Sequence, residues 1–73
     1  MALHHIESLV TGTVWKLERQ VGDTLAEGET ILLVESMKME IPIDAPAAGL
    51  LTEVLVAEGE SVSEGQVLAV LTA

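Results

Sequence analysis

The chain has 73 residues, with twelve acidic and three basic side chains that give a formal net charge of −9. A chain of this length forms one small domain with little room for an enclosed substrate pocket, so a self-sufficient enzyme is not expected. The negative charge argues against nucleic acid and anionic membranes as partners, because such binding depends on Lys and Arg. The absence of cysteine excludes disulfides and thiolate metal sites, and it favours a cytoplasmic location.

The first segment along the chain, residues 1–7, contains the adjacent histidines His4 and His5. This segment lacks the basic and apolar regions of a secretion signal, and no apolar run in the chain approaches the roughly 18 residues that span a bilayer. Adjacent side chains on a strand point to opposite faces, and the chain has no third histidine. We therefore expect a surface strand here, without a metal site.

An internal repeat covers most of the remaining chain. A shift of 37 residues places residues 12–34 on residues 49–71 without a gap. Three pairs of glycines coincide under this shift: Gly12 with Gly49, Gly22 with Gly59, and Gly28 with Gly65. Chance would rarely place all six glycines of the chain in three coincident pairs, so we infer two copies of one supersecondary unit, related by a pseudo-twofold axis.

Each copy is predicted to consist of β strands, because its segments are short, rich in Val and Leu, and without helical periodicity. The predicted strands cover residues 13–19, 30–35, 50–57 and 67–72. Four glycines are interpreted as turn residues that accept a positive φ: Gly28, Gly49, Gly59 and Gly65. Trp15, the only aromatic residue, is expected to be partly buried and to cap the core.

The predicted fold is an all-β flattened barrel or sandwich with two pseudo-twofold-related four-stranded halves. Residues 1–73 are expected to form one domain, in which a hairpin at residues 35–41 joins the halves. Pro42 and Pro46 lack an N–H donor, so they are expected at strand edges or connections. The hairpin has no counterpart within the second copy, and its tip is therefore expected opposite the chain termini.

The hairpin segment has the unusual sequence Glu35-Ser36-Met37-Lys38-Met39-Glu40. Its lysine lies between two methionines and two acids, and the chain has only one other lysine, Lys16. Taken alone, this pattern permits a solvated turn lysine, whose pairing with a neighbouring acid contributes under ~1 kcal/mol at an exposed site. The methionines would then fill gaps in the apolar packing.

This segment resembles the attachment motif of biotinyl domains, which is usually Glu-Ala-Met-Lys-Met, and the similarity extends from about residue 8 to residue 72. The resemblance implies a biotin carboxyl carrier in which Lys38 holds biotin in an amide bond. It also implies that biotin protein ligase and the biotin carboxylase and carboxyltransferase subunits recognise Met37 and Met39. The flanking positions of the hairpin would be Glu35, Ser36 and Glu40, with Ser36 a small replacement for the usual alanine.

The link between residues 19 and 28 is too short for the protruding thumb found in some acetyl-CoA carboxylase carriers. In this respect the chain is similar to the minimal, stand-alone biotin/lipoyl attachment proteins. The resemblance implies a non-catalytic carrier whose biotin is free of contacts with its own domain. The sequence offers no Ser/His/Asp set, catalytic carboxylate pair or phosphate-binding loop.

Two alternatives stay open beside the biotin carrier. Lipoyl domains share the fold and carry lipoate on a lysine of the same hairpin, usually within Glu-Thr-Asp-Lys-Ala. Here Met37 and Met39 stand in place of the Asp and Ala, which favours biotin. The third hypothesis is an unmodified β module that acts as an acidic adaptor. Modification of Lys38 by a biotin ligase, by a lipoyl ligase or by neither distinguishes the three.

Overall fold

The computed structural model describes residues 2–73, which form eight β strands and no helix, so the all-β prediction is confirmed. The strands are β1 Leu3–Glu7, β2 Gly12–Leu17, β3 Thr24–Leu25, β4 Thr30–Ser36, β5 Met39–Asp44, β6 Gly49–Val54, β7 Ser61–Val62 and β8 Val67–Thr72. Strand β2 ends before the predicted residue 19, because the N–H groups of Glu18 and Arg19 both donate to the carbonyl of Ile31. Within the described residues no helix is available to cross a membrane.

The strands form two antiparallel four-stranded sheets. The strand order is β1-β8-β6-β3 in one sheet and β5-β4-β2-β7 in the other. Each sheet therefore takes two strands from β1–β4 and two from β5–β8, and these two halves of the chain interleave instead of forming separate sheets. The pseudo-twofold exchanges the two sheets, since a shift of 37 residues carries β1–β4 onto β5–β8.

The offset of 37 residues governs the strand register as well as the sequence. Val14 pairs with Val34, and the positions 37 residues later, Leu51 and Leu71, also pair. Both ladders are interrupted by a bulge at equivalent positions. The correspondence reaches β1 and β5, which lie outside residues 12–34 and 49–71. The structural repeat, β1–β4 against β5–β8, is thus longer than the sequence repeat of residues 12–34 against 49–71.

The same offset relates the hairpin to the ends of the chain. Ser36 pairs with Met39 where β4 passes into β5. Their equivalents are Ala73 and Ala2, which exchange two backbone hydrogen bonds of 2.8 and 3.0 Å. A twofold operation exchanges these two sites, so the hairpin and the paired chain ends lie on opposite sides of the axis.

The core between the sheets is aliphatic. Its largest fully buried side chains are Val14, Leu25, Ile31, Leu32, Val34, Ile43, Leu51, Leu68 and Leu71. The prediction that Trp15 caps this core is wrong, because its side chain is 48% exposed. Trp15 lies at the bulge of β2, directly after Val14, which already fills the inward position, and the bulge leaves the indole on the solvent side.

Gly49 is not a turn residue, contrary to the prediction, whereas Gly28, Gly59 and Gly65 have positive φ as expected. Gly49 begins β6, and a Cβ built on it would lie 2.5 Å from the carbonyl oxygen of Thr72. Its equivalent, Gly12, approaches a carbonyl of β4 even more closely. Both glycines are needed because two backbones meet where a side chain has no room.

The turn before β4 contains an ionised Glu29 with several donors. Glu29 Oε1 accepts from the N–H of Ala26 at 2.9 Å, and Glu29 Oε2 accepts from Arg19 Nη2 at 2.8 Å. The Ala26 N–H, and after it the Arg19 side chain, hold the pKa of the Glu29 carboxyl below its ordinary value. At the equivalent turn, the neutral Gln66 accepts the same backbone bond from Ser63.

Glu29→Gln is expected to reduce the loss of stability in acid. A depressed folded-state pKa stabilises the protein above the carboxyl's ordinary pKa, and this contribution is lost as the pH falls through the depressed value. The variant keeps an acceptor for the Ala26 N–H, as Gln66 does, but it does not titrate. Urea unfolding at neutral pH and at successively lower pH measures the effect. Glu27→Gln, at an exposed site, is the control; equal pH profiles for the two variants would contradict the assignment.

Candidate functional site

The hairpin between β4 and β5 presents Lys38 at its tip. Its loop has two residues, Met37 and Lys38, with φ of 52° and 67°. Two successive residues of positive φ are typical of the type I′ turn, whose twist matches that of the flanking strands. The predicted position of Lys38 at a hairpin tip is therefore found in the structure.

The turn is made from residues that are unfavourable in it. Asn and Gly usually occupy type I′ turns, because a left-handed backbone costs an ordinary L-residue about 1–2 kcal/mol. Here the two positions hold Met37 and Lys38, and the six residue pairs between β4 and β5 hold them in place. Backbone strain of this kind persists only where the surrounding structure enforces it, and it is concentrated at functional sites.

The three residues at the tip face solvent. Met37 is 93% exposed and Met39 is 60% exposed, and Lys38 between them is also exposed. The methionines therefore do not fill gaps in the packing. Apolar, deformable side chains at such exposure form a surface that another protein can contact.

Acidic side chains flank the tip without pairing to it. Glu35 on β4 lies opposite Glu40 on β5. Across residues 2–73, the ion pairs join Lys16 to Glu18 and Arg19 to Glu29, and neither includes Lys38. The amine of Lys38 thus projects from the hairpin without a salt bridge, which does not support the interpretation of Lys38 as half of a surface ion pair.

Ser36 ties the base of the hairpin to the rest of the domain. Its hydroxyl donates to the carbonyl of Thr11 at 3.0 Å, and the hydroxyl of Thr11 accepts from the N–H of Glu64, also at 3.0 Å. The equivalents of Ser36 and Thr11 at the opposite end are Ala73 and Ala48, which have no hydroxyl. The tie is therefore specific to the end that bears Lys38. Sequence reasoning missed it, since the partners are 25 and 53 residues apart.

His4 and His5 lie on β1, where they pair with Leu71 and Val70. The described residues contain no group of three or more His, Cys, Asp or Glu side chains arranged to hold a metal ion. Around Lys38, the structure provides an exposed amine, two thioethers and two carboxylates on a short, well-held turn. This arrangement suits covalent modification by a separate enzyme.

The sequence between residues 4 and 71 matches the model of a protein family described as biotin-requiring enzyme. The matched region includes both repeats and the hairpin. Among solved structures, the urea carboxylase of Kluyveromyces lactis contains a similar region, with a TM-score of 0.93 and 29% sequence identity. The similarity covers 99% of this chain but only 6% of that one.

Individual proteins are similar over comparable lengths. A biotin/lipoyl attachment protein of Bacillus subtilis (strain 168) is 44% identical over 81% of both chains. A biotinylated protein TB7.3 homolog of Mycobacterium leprae (strain TN) is 33% identical, over 92% of this chain and 94% of its own. The dihydrolipoyllysine-residue succinyltransferase component of the 2-oxoglutarate dehydrogenase complex of Staphylococcus saprophyticus is 38% identical over 89% of this chain, but only 15% of that protein is covered.

Proposed function

Because the chain belongs to the biotin-requiring enzyme family of biotin/lipoyl attachment domains, we propose that it is a biotin carboxyl carrier modified on Lys38. The observation that carries the proposal is the exposed Met37-Lys38-Met39 sequence at the tip of a strained two-residue turn. Residues 1–73 would act as one attachment domain. The domain would be non-catalytic, with its chemistry performed at the active sites of other subunits.

In the attachment step, Nζ of Lys38 would attack the carboxyl carbon of a biotin that the ligase has activated. The amide C–N bond forms, the bond from that carbon to the activating group breaks, the activating group leaves, and Nζ loses a proton. The nucleophile is the neutral amine, and a lysine of ordinary pKa is neutral in only about one molecule in 10³ at pH 7. Biotin protein ligase would therefore deprotonate and position Lys38. Acylation removes one positive charge, and the net charge changes from −9 to −10.

The modified lysine would carry a carboxyl group between two partners. Biotin carboxylase would load the biotin, and carboxyltransferase would transfer the carboxyl group to an acceptor. A tethered intermediate reaches both active sites at high effective concentration, without release into solution. The support for these partners is the similarity to a region of urea carboxylase, together with the similarity to a mycobacterial protein that is described as biotinylated.

Lipoate is the second candidate, and the similarity to the succinyltransferase component favours it. Intact-mass measurement after co-expression with a biotin ligase, or with a lipoyl ligase, distinguishes the two. We expect a single biotinyl adduct on the wild-type chain and little lipoyl adduct. The double variant Met37→Asp, Met39→Ala brings the hairpin closer to the lipoyl motif and is expected to lose at least about tenfold in biotinylation rate, the effect of about 1.4 kcal/mol in recognition.

The outcomes of this experiment separate the hypotheses. A lipoyl adduct in place of the biotinyl adduct on the wild-type chain would replace the biotin proposal with lipoyl carriage. If the wild-type chain stays unmodified with both ligases, both carrier hypotheses fail and the acidic adaptor is the hypothesis that remains. An unchanged biotinylation rate in the double variant would show that the methionines are not read by the ligase.

A further inference from the structure

A groove lies between β1 and β5, away from the hairpin tip. Its volume is about 260 Å³, and its apolar lining comes from Ile6, Leu9, Ile43 and Pro46. Ile6 and Ile43 are buried members of the core, whereas Leu9 is 66% exposed. An exposed leucine beside a core-lined depression leaves apolar surface that nothing within this chain covers.

The groove straddles the pseudo-twofold axis. Ile6 is equivalent to Ile43 by the 37-residue offset, and Leu9 is equivalent to Pro46. The groove therefore lies midway between the hairpin and the paired chain ends. Ile43, the lining residue of β5 nearest to the hairpin, is four residue steps from Met39, which is roughly 13 Å at about 3.3 Å per residue. A protein seated there would leave the hairpin tip free.

Two acidic residues line the groove, Glu7 from the end of β1 and Asp44 from the end of β5. Asp44 Oδ1 accepts from the hydroxyl of Thr30 at 2.8 Å, and neither carboxylate is part of an ion pair in the described chain. His5 also lines the groove, and none of the lining residues is Lys or Arg. The groove thus combines an apolar floor with negative charge that the domain itself does not neutralise.

The occupant that fits this chemistry has an apolar stem and a cationic end. The groove is smaller than the ~300–1,000 Å³ typical of pockets for whole small-molecule ligands, so a single side chain matches it better than a cofactor does. Arginine suits it more than lysine, because the planar, weakly hydrated guanidinium donates to two carboxylates while its methylene stem packs on apolar surface.

We propose that this groove is a docking site for an arginine side chain of a partner protein, held between Glu7 and Asp44. The site is separate from the attachment hairpin and does not depend on which group Lys38 carries. A partner bound here would hold the module by its middle while the tip remains accessible to an active site.

The proposal is tested by NMR titration of the ¹⁵N-labelled full chain with Nα-acetyl-arginine N-methylamide. The matched probe is the neutral isostere Nα-acetyl-citrulline N-methylamide. We expect saturable shifts at the amides of Glu7, Leu9 and Asp44 with the arginine compound, and at least about tenfold weaker binding of the citrulline compound, as for a lost charge-assisted hydrogen bond.

Two double variants complete the experiment, and their amide spectra report whether they are folded. Glu7→Gln with Asp44→Asn should weaken arginine binding at least about tenfold. Glu27→Gln with Glu53→Gln removes the same charge from exposed positions elsewhere and should leave it unchanged. Equal effects of the two double variants would overturn the proposal, as would non-saturating shifts spread over all acidic residues.

Two further outcomes would also overturn it. One is shifts confined to Glu35 and Glu40. The other is shifts that depend only on protein concentration, because these would indicate that a second copy of the chain occupies the groove.

Discussion

Lys38→Arg is expected to abolish covalent modification, whereas Lys16→Arg is expected to leave it intact. Arginine retains the charge and much of the length of lysine, but its guanidinium stays protonated and cannot act as the nucleophile. Lys16 lies on β2 with its amine 3.8 Å from Glu18 Oε1, and its backbone is held in the sheet. A ligase that recognises a lysine at a projecting turn would find no such turn around Lys16.

Intact-mass measurement after co-expression with biotin ligase checks both variants. Wild type and Lys16→Arg should show one adduct, and Lys38→Arg should show none. Urea unfolding of the unmodified proteins serves as the control, because both replacements are at exposed sites and should leave the free energy of unfolding within about 0.5 kcal/mol. An adduct on the Lys38→Arg variant, whether biotinyl or lipoyl, would contradict the assignment of Lys38 as the attachment residue.

Gly12→Ala is expected to have the largest effect on stability. A Cβ at this position would overlap the carbonyl oxygen of Glu35, so β2 and β4 would have to separate. We expect a loss of about 3 kcal/mol or more in the free energy of unfolding. A domain of this size has only about 4–11 kcal/mol in total, so the variant is expected to be close to unfolded.

Gly59→Ala is the matched control for that prediction. Gly59 has φ of +89°, and nothing lies within 4 Å of a Cβ built on it, so alanine meets backbone strain without a steric clash. The expected loss is about 1 kcal/mol, because strain of about 1–2 kcal/mol is partly offset by the lower entropy of the unfolded chain. Urea unfolding at one pH compares the two, and a Gly12→Ala loss no larger than that of Gly59→Ala would refute the close-approach argument.

Gly49→Ala separates damage to the fold from damage to the hairpin. Its Cβ would overlap Thr72 at the paired chain ends, which are equivalent to the hairpin but lie on the opposite side of the pseudo-twofold axis from Lys38. Under stabilising conditions in which the variants stay folded, Gly12→Ala should slow modification of Lys38 more than Gly49→Ala does. Equal rates would mean that local distortion of β4 does not reach the turn.

Much of the candidate site follows from local sequence. Met37, Lys38 and Met39 are adjacent in the chain, so their common position at a tip requires only that the segment forms a hairpin. The tie from Ser36 to Thr11 could not be predicted in the same way, because it depends on how a loop packs beside the hairpin. From the sequence, Ser36 is expected to be a small replacement for alanine that leaves the hairpin intact, and the structure adds a hydrogen bond that alanine could not make.

Trp15 and Gly49 show where pattern-based prediction failed. A lone aromatic residue in a strand is usually expected to contribute to the core, but a bulge changes which residue faces inward, and the sequence carries no clear mark of it. Glycine is common both in turns and where two backbones approach closely. The choice for Gly49 depends on its distance to Thr72, a residue 23 positions away.

The amino-acid sequence by itself determined the repeat of 37 residues, the all-β composition and the single lysine between methionines at a hairpin. These properties depend on the order and type of neighbouring residues, which the chain fixes covalently. Only the tertiary structure decided that the two halves of the chain, β1–β4 and β5–β8, interleave with two strands of each half in both sheets. It also brought Glu7 and Asp44 to one groove. The physical reason is that strand pairing and the packing of the sheets join residues far apart in the chain, and a shared core selects one such arrangement.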